Sequence, residues 1–189
     1  MTDPHERLFI GVPLPQGLKG FVREAQAALP RMGALRLLPE EQWHVTLAFL
    51  GEVDQATKLV ARRILEAVPS GMGGGAWLGG FLMLPSQTKA RVVSLEIDDD
   101  KGAFADLYEV IMTSLEMADV MEREKRPFRP HLTVARMKTP GRVRPRSEID
   151  RARYAIESVC LYRSELRREG ATYTVLARRV FDIRRRGKG

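Results

Sequence analysis

Two stretches of this chain share one spacing, and that spacing limits the possible folds more than any other feature. They are Trp43-His44-Val45-Thr46-Leu47-Ala48-Phe49 and Pro130-His131-Leu132-Thr133-Val134-Ala135-Arg136. In each, histidine is followed by threonine at the second position, an apolar residue at the third, alanine at the fourth and a distinctive residue at the fifth. Two of the chain's three histidines lie in these repeats. In a strand, side chains alternate between faces, so His44 and Thr46 share one face while Val45 and Leu47 point to the other. The same parity joins His131 to Thr133 above Leu132 and Val134. An imidazole and a hydroxyl are thus presented from an apolar-backed strand, twice.

The doubled pattern resembles the two-histidine phosphoesterases, and among them the RNA 2',3'-cyclic phosphodiesterases once called 2'-5' RNA ligases. The extended motifs of that branch, His-x-Thr-x-x-Phe and His-x-Thr-x-x-Arg, stand complete at His44 to Phe49 and at His131 to Arg136. The likeness runs nearly end to end. Arg7-Leu8-Phe9-Ile10 with Pro13-Leu14-Pro15 is similar to the family's opening strand, Phe128-Arg129-Pro130 to its lead-in to the second histidine, and Tyr162-Arg163-Ser164 with Tyr173-Thr174-Val175-Leu176 to its closing strands.

The resemblance implies a chemistry that histidine suits. Opening a 2',3'-cyclic phosphate needs a base to activate water and an acid to protonate the departing ribose oxygen, and an imidazole titrates near neutral pH. The resemblance assigns His44 as acid on the 3' oxygen and His131 as base, which gives a 2'-phosphate. The near-symmetry of the two motifs equally permits the swapped roles. Thr46 and Thr133 are expected to donate hydrogen bonds to the phosphate, Arg136 to offer a planar guanidinium to it, Phe49 to stack on the terminal base, and Arg129 either to meet RNA or to brace a loop. Parity raises a difficulty. The fifth position faces away from the histidine in a regular strand, so both strands must end, twist or bulge after Ala48 and Ala135. Gly51 supplies a break in the first copy; the second has no equivalent.

With 189 residues the chain fits one domain or two small lobes. Lysine and arginine outnumber aspartate and glutamate by 31 to 24, a net charge of +7 that favours polyanionic ligands. Cys160 is the single cysteine, so an intramolecular disulfide is excluded. The start, Met1 to Arg7, lacks the apolar core of a signal peptide, and no run approaches the roughly 18 apolar residues of a membrane span. A cytoplasmic monomer is expected, acting on RNA with 2',3'-cyclic phosphate ends or on small cyclic nucleotides, away from membranes. No cofactor is expected and no metal site, since the histidines lack local ligand partners.

Read in order, Leu8 to Val12 forms a strand closed by Pro13. Leu18, Phe21, Val22, Ala25 and Leu29 fall at helical spacing. Arg31 to Leu38 is an approach strand into the first motif strand. Asp54 caps a second helix carrying Leu59, Val60, Ile64 and Ala67. Ser70-Gly71-Met72-Gly73-Gly74-Gly75 is read as a flexible lobe boundary. Trp77 to Leu84 and Ala90 to Ile97 form an antiparallel pair, and Gly102 to Met117 a third helix. Ala155 to Tyr162 and Thr172 to Ile183 are late strands, followed by a disordered basic tail at Arg184 to Lys188. The order predicts an α+β class: a pseudo-duplicated, two-lobed fold with antiparallel sheets lining a central cleft and helices outside. It is a single domain over residues 1–189, with lobes 1–69 plus 155–183 and 76–138. Two other readings are a noncatalytic RNA-end-binding module and a metallohydrolase built from His44, His131 and distant acids. Arg142, Arg144 and Arg146 read as solvated charge, His5 as solvated, and Trp43 and Trp77 as packing.

Overall fold

The computed structural model describes residues 5–167 and 170–182. Ile183 and the basic run Arg184 to Lys188, like the first four residues, lie outside the described residues. The fold is α+β with two antiparallel sheets, as the order of elements predicts. Its strands are β1 (Glu6–Pro13), β2 (Leu35–Leu37), β3 (His44–Val53), β4 (Gly74–Leu84), β5 (Ala90–Asp98), β6 (His131–Gly141), β7 (Ala152–Ile156), β8 (Ser158–Arg167) and β9 (Gly170–Val180). The helices are α1 (Lys19–Ala27), α2 (Gln55–Ala67) and α3 (Ala103–Met117). One sheet runs β3-β1-β8-β9 and the other β2-β6-β5-β4-β7. Each motif strand therefore belongs to a different sheet.

The helices cover the sheets because their apolar stripes have nowhere else to go. Val22 and Ala25 of α1, Ala61 and Leu65 of α2, and Phe104, Leu107, Ile111, Met112 and Leu115 of α3 are all buried. Each large aliphatic among them gains about 1.5–3 kcal/mol by leaving water. Helix α2 starts where Asp54 predicts, the Asp54 carboxylate accepting from the Thr57 backbone N–H at 2.8 Å. Tyr154 on β7 ties the sheets together, its buried hydroxyl donating to the Pro13 carbonyl of β1 at 2.9 Å.

Three expectations are corrected. The glycine run is not a linker: Ser70–Met72 makes a 3-10 turn, and Gly74 and Gly75 already pair with Ile156 and Ala155 of β7. Glycine is needed there for contact, since a Cβ on Gly74 would lie 2.6 Å from the Cβ of Ala103 at the start of α3. The approach strand shrinks to Leu35–Leu37 and pairs with β6 in the other sheet, Arg36 opposite Arg136. The late stretch expected as one strand is two: β7 joins the five-stranded sheet, β8 the four-stranded one, and the chain changes sheets at Glu157. Periodicity cannot report such a crossing, because both strands are apolar on their inner faces.

Candidate active site

The parity problem is solved by a bulge in each motif strand, one residue earlier than sequence reasoning puts it. Along β3, Thr46 is paired with Gly11 and Ala48 with Ile10, so Leu47 is the extra residue. Along β6, Thr133 is paired with Ser94 and Ala135 with Val93, so Val134 is extra. Leu47-Ala48 and Val134-Ala135 are consecutive buried pairs, whereas Phe49 and Arg136 return to the exposed side. One inserted residue reverses the alternation after it, which aims the fifth position into the cleft. Val134 bulges without a nearby glycine. Gly51, with φ of +74°, serves a separate irregularity at Leu50.

The two strands meet across a cleft of about 410 Å³ lined by His44, Thr46, Phe49, His131, Thr133 and Arg136. Both imidazoles are anchored alike. His44 Nδ1 lies 2.8 Å from the carbonyl oxygen of Gln42, and His131 Nδ1 lies 2.8 Å from that of Arg129. A carbonyl only accepts, so each Nδ1 carries the proton and each Nε2 is left for chemistry. Thr46 Oγ1 is 3.1 Å from His44 Nε2. On the other side Thr133 Oγ1 is 3.4 Å from the hydroxyl of the fully buried Ser94 on β5.

The surroundings of the two rings differ. His44 stacks on Phe9 with centroids 4.7 Å apart, and Tyr173 meets it edge-on at 5.2 Å. Tyr162 backs Phe9 at 4.8 Å. The ring fits because β1 carries Gly11 beneath it; a Cβ there would lie 3.2 Å from His44 Cδ2 and 2.9 Å from the Val45 carbonyl oxygen. Burial in this aromatic nest lowers the His44 pKa to about 4, with Arg136 and His131 pushing the same way and the Gln42 carbonyl opposing. Gln42 itself is buried and donates through Nε2 to the Ala171 carbonyl of β9 at 2.6 Å, which holds the turn that orients His44.

The remaining expected site residue divides in two. Arg129 contributes its carbonyl to His131, while its guanidinium pairs with Glu96 at 2.5 Å and does not line the cleft. Sequence reasoning missed the site positions of Phe9, Tyr173, Gln42, Ser94, Arg7 and Arg36. Arg7 stands over the Phe49 ring, 4.9 Å from its centroid, and lines the cleft with it. Trp43 is buried as expected, while Trp77 is 39% exposed beneath Arg151. A larger hollow of about 1350 Å³ elsewhere carries Glu96, Asp98, Asp99, Asp100 and Glu148 against Arg146 and Arg151, a lining whose acids outnumber its bases and so disfavour phosphate. Among the described residues no Asp or Glu lines the histidine cleft. Among the described residues no three His, Cys, Asp or Glu side chains converge on a point that would hold a metal ion, and no helix is long and apolar enough to cross a membrane.

Comparison with known proteins adds to this geometry. The family model described as the 2'-5' RNA ligase superfamily matches residues 14–168. The chain is 30% identical over 187 residues to the RNA 2',3'-cyclic phosphodiesterase of Thermus thermophilus, covering 90% of this chain and 87% of that relative. It is 27% identical over 184 residues to the Escherichia coli protein of the same name, covering 94% and 97%. A crystal structure of E. coli LigT complexed with 3'-AMP shares the fold with a TM-score of 0.80 at 23% identity, over 94% of this chain and 98% of that one.

Proposed function

The chain belongs to the 2'-5' RNA ligase superfamily, and from that premise we propose that it hydrolyses the 2',3'-cyclic phosphate of an RNA end or a small nucleotide to a 2'-phosphomonoester. The observation that carries this reading is the matched pair of histidines, each pinned through Nδ1 and each offering Nε2 to one cleft. Two such groups on opposite sides of a phosphorus supply both proton transfers, so no metal ion is needed to activate water.

Water attacks phosphorus in line with the P–O3' bond while His131 Nε2 takes its proton. The P–O3' bond breaks, and His44 Nε2 gives a proton to O3', leaving a 2'-phosphate and a 3'-hydroxyl. Thr46, Thr133 and Arg136 hold the non-bridging oxygens, whose charge grows in the transition state. Phe49 stacks on the terminal base. A 5'-hydroxyl in place of water would form a 2'-5' linkage by the same transfers, reversibly.

His44 is neutral in the free protein near pH 7, because its pKa is held down to about 4. As the acid it must gain its proton together with the substrate, whose negative phosphate offsets the desolvation of the ring. The same burial favours a second reading, in which His44 takes the water proton and His131 protonates the leaving oxygen. With the ribose held in one pose, that exchange breaks the P–O2' bond and yields a 3'-phosphate.

The experiment is hydrolysis of a short RNA ending in a 2',3'-cyclic phosphate in excess chelator, with the product phosphate located. A 2'-phosphate supports the first assignment and a 3'-phosphate the second. Binding without turnover points instead to a noncatalytic RNA-end-binding module, and activity lost to chelator points to a metallohydrolase.

A further inference from the structure

The bulge that aims Arg136 into the cleft is held from outside its sheet. Val134 is the extra residue on β6, and its carbonyl oxygen accepts from two donors: the Leu38 backbone N–H at 2.9 Å and Nε2 of Gln26 on α1, also at 2.9 Å. The same Gln26 amide donates to the Leu38 carbonyl at 2.8 Å. A side-chain amide has two N–H donors, and here each has a backbone carbonyl. The Leu38 carbonyl also accepts from Nε1 of Trp43, the residue before His44, at 3.2 Å. A helix residue 108 positions from Val134 thus fastens the second motif strand to the segment that leads into the first.

We infer that Gln26 is a positioning residue for Arg136: it clamps the Val134 bulge to the end of β2 and so fixes the guanidinium on the cleft side. The part Arg136 plays at the phosphate comes from the phosphoesterase reading, on which this inference rests. Gln26 itself does not line the cleft, so its effect is transmitted through the backbone. The clamped oxygen belongs to the rigid peptide plane that joins Val134 to Ala135, one residue before Arg136. Two donors on that oxygen hold the plane from which the Arg136 side chain takes its direction. A bulge disrupts the ladder locally, and Leu132 to Ala135 contains no glycine whose backbone freedom would place it. Without Gln26 each carbonyl keeps one donor, Val134 from the Leu38 N–H and Leu38 from the Trp43 indole, so the fold survives while the bulge loosens.

The test is a double-mutant cycle on hydrolysis of a short RNA ending in a 2',3'-cyclic phosphate, with wild type, Gln26→Met, Arg136→Met and the double variant. Methionine keeps the length of the side chain and removes both donors. Gln26→Met is expected to lower kcat about tenfold, with KM within about threefold and Tm lower by only a few degrees, because a misaimed charge is felt chiefly in the transition state. In the Arg136→Met background the same substitution changes kcat by less than about twofold. Equal fold losses in both backgrounds, or an unchanged kcat in Gln26→Met, overturn the inference. Gln26→Asn, which carries the same amide on a shorter stem, is run alongside and is judged by the same outcomes if Gln26→Met does not fold. Binding of adenosine 2'-monophosphate to the same proteins is measured in parallel. Where wild type binds it but turns over no cyclic end, the enzymatic reading fails and the cycle is read on affinity. Weakening by Gln26→Met that vanishes beside Arg136→Met then upholds the clamp; no weakening, or equal weakening in both backgrounds, overturns it.

Discussion

His44 and His131 are fixed by one and the same contact, Nδ1 donating to the carbonyl of the residue two positions earlier, at 2.8 Å in both. The equivalence ends at the rings' surroundings. Phe9 and Tyr173 pack against His44, whereas no aromatic contact is found for His131 among the described residues. Desolvation in that aromatic nest lowers the proton affinity of His44.

The low pKa of His44 has a cost in stability. Its folded value, about 4, lies below the unfolded value near 6.5. As pH falls below about 6.5 the unfolded chain takes up the proton first, so stability is lost progressively down to about 4 and no further from this group. Chemical denaturation of wild type and His44→Gln between pH 7 and 4 is expected to show an excess loss of about 1–3 kcal/mol in wild type. Parallel pH dependence in the two proteins would remove the desolvation account.

The nest acts through its rings rather than its hydroxyls. Tyr173→Leu should raise the His44 pKa toward 6.5 and shift to higher pH the limb of the pH–rate profile that His44 sets, while Tyr173→Phe leaves both nearly unchanged. Histidine NMR titration reads the first effect and the pH–rate profile the second. A His44 pKa unmoved in Tyr173→Leu would assign the shift to the neighbouring cations instead.

Gly11 is the seat of the His44 ring. Gly11→Ala would force a methyl to within 3.2 Å of His44 Cδ2 and 2.9 Å of the Val45 carbonyl oxygen. An expected fall in kcat of about tenfold or more, with Tm lowered by only a few degrees, follows from misplacing a proton-transfer group. Unchanged kcat would mean that the ring shifts freely.

A control far from the chemistry is Asp54→Ala. Loss of the cap on Thr57 should cost about 1 kcal/mol, read by denaturant unfolding, and leave kcat/KM unchanged.

Much of the site could be read before the fold was known. The spacing of His44 to Phe49 and of His131 to Arg136 pairs two strands that lie in different sheets, and side-chain parity alone demands the bulges found at Leu47 and Val134. The nest could not be read, because Phe9, Tyr162 and Tyr173 come from β1, β8 and β9, and each looks like an ordinary strand aromatic. Arg36 hid in a strand of three residues whose partner is remote in sequence. At Arg129 the sequence marks a position but not a group: the carbonyl anchors His131 while the guanidinium pairs with Glu96. The glycine run misled for a related reason. Glycine marks a turn and a tight contact with the same letter, and only Ala103 beside Gly74 distinguishes them.

The paired-histidine mechanism is tested by turnover of a short RNA ending in a 2',3'-cyclic phosphate, in excess chelator, by wild type, His44→Ala and His131→Ala. Chelator-resistant hydrolysis is expected to fall by about 100-fold or more in either variant, with both variants still folded by circular dichroism. Turnover that survives loss of either histidine would contradict the paired acid–base mechanism.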